Sequence, residues 1–139
     1  MSKAAAEVVA ARVAAVLSLP LHRFVGVELL DPAAPEDGIA FPVGPSAQNQ
    51  AQLLHGGVVT ALLDVACFLA LLPQLGAEQH AVTHDLSVSL LRPVPAGSRV
   101  ELVGQVLRLG RAVAFLRAEA RVDGRLVATA QVTKTVLAV

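Results

Sequence analysis

The chain predicts an α+β fold: an antiparallel sheet of five to six strands wrapped around one long central helix, with a further helix at the N-terminus. Three observations carry that prediction. Val58 to Leu72 is an apolar run of helical length with one charge in it, Asp64. After it the hydrophobic period changes to two and stays there as far as Val136. The segments of that period follow one another through short turns, as antiparallel strands do.

In chain order, residues 3–17 are Ala-rich and place Val8, Val9, Arg12, Val13, Val16 and Leu17 at helical intervals, so a helix ends near Pro20. Phe24 to Leu30 reads as a strand and Gly38 to Val43 as a second, joined by the turn-forming residues 31–37. Gly44 to Leu54 carries Pro45, Ser46, Gln48, Asn49, Gln50 and Gln52, a polar loop. The central helix runs from about Gly56 to Leu72, stopped by Pro73 and Gly76. Ala81 to Leu91 then alternates Val82, His84, Leu86, Val88 and Leu90 against Thr83, Asp85, Ser87 and Ser89. Residues 92–97 turn the chain, and Val100–Leu109, Ala112–Val122 and Leu126–Val136 complete a four-strand meander. Asp123-Gly124 is a strong two-residue hairpin signal. No repeat or linker interrupts the order, so residues 1–139 read as a single domain.

Composition narrows the function. Eleven basic and eleven acidic residues cancel, and Trp and Tyr are absent, which argues against nucleic acid as a partner. Only Lys3, Arg12 and Arg23 of the basic residues precede Arg92, so the second half could hold a local anion site. The apolar run broken by Asp64 falls short of a membrane span, and Glu7 and Arg12 interrupt the apolar N-terminus, unlike a signal peptide. One cysteine, Cys67, excludes an internal disulfide and fits a reducing cytoplasm. The four histidines (His22, His55, His80, His84) show no metal-ligand spacing. A hydrophobic content of 55% in so short a chain calls for a subunit interface, hence an oligomer.

Asp64 is the residue that asks for a reason. A carboxylate flanked by Leu62, Leu63, Val65 and Ala66 costs several kcal/mol unless it is solvated or paired. Upstream, Gly56 and Gly57 open the same helix without side chains, so a ligand can approach the free N–H groups of its first turn. An oxyanion-binding helix start and a carboxylate facing a mostly apolar site are two parts an acyl-transfer hydrolase needs. The two are eight positions apart, about 12 Å along a helix. They cannot serve one carbonyl within one subunit, so the catalytic reading requires a two-fold dimer with shared sites.

Leu54-His55-Gly56-Gly57, Asp64, Val82-Thr83-His84-Asp85-Leu86, Leu91-Arg92-Pro93, Arg108-Leu109-Gly110-Arg111 and Gly124-Arg125-Leu126-Val127-Ala128, with Asn49 ahead of them, form an ordered set. That set resembles the hotdog-fold acyl-CoA thioesterases, specifically their phenylacetate-pathway (PaaI-like) branch. The resemblance implies hydrolysis of an aryl- or medium-chain acyl-CoA by a dimer, usually paired into a homotetramer, with no metal and no cofactor beyond the coenzyme A of the substrate. It further implies that Gly56 offers its N–H to the thioester carbonyl and that Asp64 is nucleophile or general base. Asn49 would hold water or orient the carboxylate, Thr83 would stand near it, and His55 would orient the site beside Gly56.

Each residue has a plainer reading. Gly56-Gly57 could be a tight helix entry, His55 a capping or packing residue, and the Thr83 stripe a solvated sheet face. His84 shares the apolar face of its strand and reads as a satisfied core or interface histidine. Cys67 lacks an activating signature and reads as a small core residue. Arg108 and Arg111 could grip the phosphates of CoA or merely solubilise a turn, and Arg92 and Lys134 are open to the same pair of readings. Phe68, Leu69, Leu71 and Leu72 are candidates for an acyl pocket. A non-catalytic acyl-CoA or small-ligand binder of the same fold is the alternative function, and a dehydratase of that fold a third.

Overall fold

A computed structural model describes residues 2–139. Ser2 caps α1 (Lys3–Leu17) through its side chain, which accepts from the Ala5 N–H. Pro20 does more than end that helix: at the first position of α2 (Pro20–Val25) its fixed φ starts another. Gly26 at φ 89° closes α2 in the left-handed region. The strand expected over Phe24–Leu30 therefore shrinks to β1 (Glu28–Leu29), and Phe24 stands exposed on α2. β2 (Ile39–Pro42) falls inside the expected Gly38–Val43.

The central helix is α3 (Gly56–Leu71), continued by a 3-10 turn over Leu72–Gln74. With that turn the helical stretch reaches 19 residues, long and apolar enough by length and composition to cross a membrane. It is the core helix: Val59, Leu62, Leu63, Ala66, Cys67, Leu69 and Leu71 are all buried. β3 (Gln79–Leu90), β4 (Arg99–Leu109), β5 (Val113–Val122) and β6 (Arg125–Ala138) follow close to their expected limits. The β5–β6 turn has positive φ at both Asp123 and Gly124, as its sequence demands.

The six strands form one antiparallel sheet in the order β1-β2-β4-β5-β6-β3. The expected four-strand meander is thus corrected. β4, β5 and β6 do form a meander, but β3 pairs with β6 and becomes an edge. Pro93 and Pro95 lack the N–H a ladder would use, and residues 92–97 form no hairpin between β3 and β4. That segment is pinned instead to the loop before α3, where the Leu54 N–H donates to the Val94 carbonyl at 2.8 Å. It carries the chain across to the far side of β5.

β3 also breaks its own alternation. The register slips between Thr83 and Asp85, leaving His84 as the extra residue of a bulge. Before the bulge the inward positions are Ala81 and Thr83; after it they are Leu86 and Val88. Thr83 therefore faces α3 and does not share a solvated stripe with Asp85. His84 is exposed, with Nδ1 2.7 Å from Thr135 Oγ1, and is no core residue.

Candidate active site

Asp64 lies where α3 meets β3 and β6. Its Oδ1 accepts from Thr83 Oγ1 at 2.6 Å and from Lys134 Nζ at 3.0 Å. Lys134 Nζ also donates to Thr83 Oγ1 at 2.7 Å, which closes a three-membered ring of hydrogen bonds. Lys134 is 2% exposed, whereas the Asp64 side chain keeps 31%. No protein group among the described residues engages Oδ2 of Asp64.

The carboxylate opens into a cavity of about 350 Å³, walled by Val16 and Leu19 of the N-terminal segment, Val65 and Phe68 of α3, and Ala81 and Val82 of β3. Of the acyl-pocket candidates only Phe68 lines it; Leu69, Leu71 and Leu72 are core residues. The Phe68 ring sits 5.5 Å from the Lys134 ammonium and meets His80 edge-on at 5.6 Å. His22, which sequence reasoning passed over, is buried on the wall, with Nδ1 2.7 Å from the Val16 carbonyl. A carbonyl only accepts, so the His22 proton sits on Nδ1.

Lys134 is the other residue whose role was missed. A signal for it existed: Ala128, Ala130, Val132, Lys134 and Val136 fall in phase on the helix-facing side of β6. A lysine in such a row is buried, and a buried ammonium needs a carboxylate. Its reading as a phosphate contact is thereby corrected.

Cys67, one turn beyond Asp64, is fully buried. Burial pushes its thiol up to about 12, opposed in part by the nearby Lys134 charge and reinforced by Asp64. It holds no thiolate at neutral pH.

The start of α3, the second candidate region, is separate from Asp64. His55 is the capping residue, and its Nδ1 accepts from the Gly57 N–H at 3.0 Å. The Val58 and Val59 N–H groups reach the His55 carbonyl. Among the first-turn donors the Gly56 N–H alone has no acceptor among the described residues. The Gly57 N–H, expected among the ligand-facing donors of the helix start, donates instead to the His55 ring in this chain.

Asn49 stands beside Gly56, not beside Asp64, in a hollow walled also by Leu53, Leu54, Leu90, Leu91, Arg92 and Pro93. Its Oδ1 accepts from the backbone N–H groups of Ala51 (2.9 Å) and Leu53 (3.2 Å). Those donors fix the amide, so its Nδ2 hydrogens are the ones left over. Within one chain, then, Asn49 does not orient the carboxylate.

Arg92 and Pro93 are shared with a groove of about 550 Å³ that Arg125 also lines. Arg108 and Arg111 lie exposed at the β4–β5 hairpin and line neither the Gly56 hollow nor the Asp64 cavity. No cluster of three or more His, Cys, Asp or Glu side chains that could hold a metal occurs among the described residues.

The model of the thioesterase superfamily matches residues 51–129, which contain Gly56, Asp64 and Thr83. Mouse acyl-coenzyme A thioesterase 13 is 28% identical over 106 residues, 73% of this chain and 74% of the relative. Among solved structures, a mutant of the phenylacetic acid degradation protein PaaI from Thermus thermophilus is 30% identical, covering 84% of this chain and 97% of that one, with a TM-score of 0.74. A thioesterase family protein from Silicibacter pomeroyi is 26% identical and covers 97% of this chain and 99% of that one, with a TM-score of 0.83. A family match over more than half its length, on a sheet wrapped around one apolar helix, places this chain in the hotdog-fold thioesterase superfamily.

Proposed function

We propose that the protein hydrolyses an acyl-CoA thioester, with an aryl or medium-chain acyl group, to the free acid and CoA. The observation that carries this reading is the Asp64 carboxylate, held through Oδ1, unengaged at Oδ2 and lining a mostly apolar cavity. Either Asp64 attacks the thioester carbon, expelling CoA thiolate and forming a mixed anhydride that water then hydrolyses to the free acid, or it deprotonates a water that attacks. In the second case the C–S bond breaks with the proton passing from Asp64 to the departing thiolate. The Gly56 N–H and the Nδ2 donors of Asn49 would receive the oxyanion; one such donor is worth about a hundredfold or more. The groove beyond Arg92, with Arg125 on its wall, suits the CoA phosphates better than the Arg108–Arg111 hairpin does.

Both half-sites become one in a dimer. β3 is a twelve-residue edge strand with Val82 and Leu90 exposed, an unpaired edge that a second copy can cover. Val82 and Thr83 line the Asp64 cavity near one end of β3, and Leu90 lines the Gly56 hollow at the other. Two β3 strands paired antiparallel about a two-fold axis near Leu86 would bring each Gly56 hollow to the other copy's Asp64 cavity. A tetramer would then be a pair of such dimers.

The test follows CoA release from a panel of phenylacetyl-, benzoyl-, hexanoyl- and octanoyl-CoA by the wild type and Asp64→Asn. Turnover of an aryl or medium-chain ester that drops by about a hundredfold or more in Asp64→Asn is the expected result. Undiminished release in Asp64→Asn overturns the role of Asp64. Tight binding without release by the wild type would instead make the protein a binder of the same fold.

A further inference from the structure

Lys134 buries a positive charge in the core side of a sheet, where an apolar residue of similar volume would cost less. What it touches says what it does. Lys134 and Thr83 both donate to the same oxygen of Asp64, Oδ1, and to nothing else on that carboxylate. The ammonium also holds the Thr83 hydroxyl oxygen at 2.7 Å, so that hydroxyl has its proton free to point at Oδ1. A carboxylate on a helix otherwise turns about its two side-chain torsions, and its oxygens exchange places. Two donors on one oxygen, one of them charged and immobile, stop both motions. The Phe68 ring lies 5.5 Å from the ammonium, and Asp64 is its one carboxylate partner among the described residues.

Building on Asp64 as the catalytic carboxylate, we propose that Lys134 is a positioning residue that pins Asp64 by Oδ1 and so assigns the chemistry to Oδ2. Lys134 need not touch substrate for this. It acts through Asp64, and Thr83 relays the same constraint. Without the ammonium, Thr83 could donate to either oxygen and Asp64 could leave its productive orientation. An error of about 1 Å in a reacting group can cost about a hundredfold in rate. Substrate affinity, set by the cavity and the CoA groove, should be little changed.

The experiment compares Lys134→Met, Lys134→Ala and Asp64→Asn with the wild type on the best acyl-CoA ester, with rates normalised to folded protein. Lys134→Met is expected to lose kcat by roughly ten- to a hundredfold with KM within about threefold. In Lys134→Ala, ethylammonium or propylammonium should restore part of kcat in a saturable manner, while propanol should not. A residue that only stabilises the fold would lower Tm without that split and without amine rescue. Wild-type kcat in Lys134→Met overturns the positioning role, and if Asp64→Asn is inactive in the same assay the reading of Asp64 stands. An active Asp64→Asn removes the premise and the proposal with it. Should neither Lys134→Met nor Lys134→Ala fold, Lys134→Arg, which keeps the charge but displaces it, decides: a lowered kcat at unchanged KM supports the role, and an unchanged kcat overturns it.

Discussion

Adjacent amides at the start of α3 meet different fates. The Gly57 N–H is spent on the His55 ring, while the Gly56 N–H stays free. A Cβ on Gly57 would fall 2.9 Å from that ring, so this glycine protects the cap. A Cβ on Gly56 would meet only Leu90 Cδ1 at 2.8 Å, the far end of a side chain that can rotate away. Gly56→Ala should therefore change stability by no more than about 1 kcal/mol. Its methyl group, or the displaced Leu90, narrows the hollow over the free N–H, so kcat/KM should fall about tenfold or more. Thermal melts beside steady-state kinetics check this; activity that falls only in step with Tm would make Gly56 a packing residue. Asp64→Asn carries a structural cost as well, because a buried ammonium loses its counter-charge. The amide oxygen still accepts from Lys134 and Thr83, which keeps the loss to about 1–3 kcal/mol.

At the scale of elements, the approach of α3 to the sheet is set by a missing side chain. A Cβ on Gly104 of β4 would lie 2.5 Å from the Ala66 carbonyl oxygen and 2.9 Å from Cys67 Cα. Both are backbone atoms, so nothing can swing aside. Gly104→Ala should destabilise the protein by about 1–3 kcal/mol, measured by chemical denaturation. Because Ala66 and Cys67 follow Asp64 within one turn, that displacement should also lower kcat. A neutral Gly104→Ala would show that the helix rests on other contacts. This spacing was hidden in the sequence, where Gly104 falls inside the expected Val100–Leu109 strand with nothing local to mark a close approach. The β3 bulge was hidden likewise: period-two counting puts Thr83 with Asp85, and only pairing with β6 reveals the slipped residue, His84. α2 was misread for a simpler reason, since Pro20 was counted as a stop and is also a start.

At the scale of the whole molecule, Asp64 and Gly56 open into different hollows of one chain, so on the proposed mechanism activity should belong to the dimer. Asp64→Asn destroys the carboxylate and a bulky residue at Gly56 blocks the oxyanion hollow. In a heterodimer of the two, one shared site receives both lesions and the other receives neither. Equal mixing with statistical exchange should then restore about one quarter of wild-type activity from two inactive parents. The measurement is activity against exchange time, with exchange followed by mass-tagged subunits. Complete exchange with no recovery would count against shared sites, and a fully active monomer would exclude them.

The sequence by itself determined the fold class, the central helix and most of the strand limits, and it singled out Asp64 and the glycines at the helix start as candidates. These are local signals: periodicity, caps, prolines and an apolar run with one charge in it each act within a few residues of the chain. It also supplied the argument for proposing a dimer, because helix rise converts eight positions into a distance that one subunit cannot bridge. Tertiary structure decided the rest. The sheet order put β3 at the edge, the bulge turned Thr83 towards α3, and β6 delivered Lys134 to a carboxylate 70 residues earlier in the chain. Asn49 was assigned to the Gly56 hollow only when the loop closed and backbone donors claimed its Oδ1. Each of these depends on which strand neighbours which, a choice made by long-range packing that no window of sequence contains.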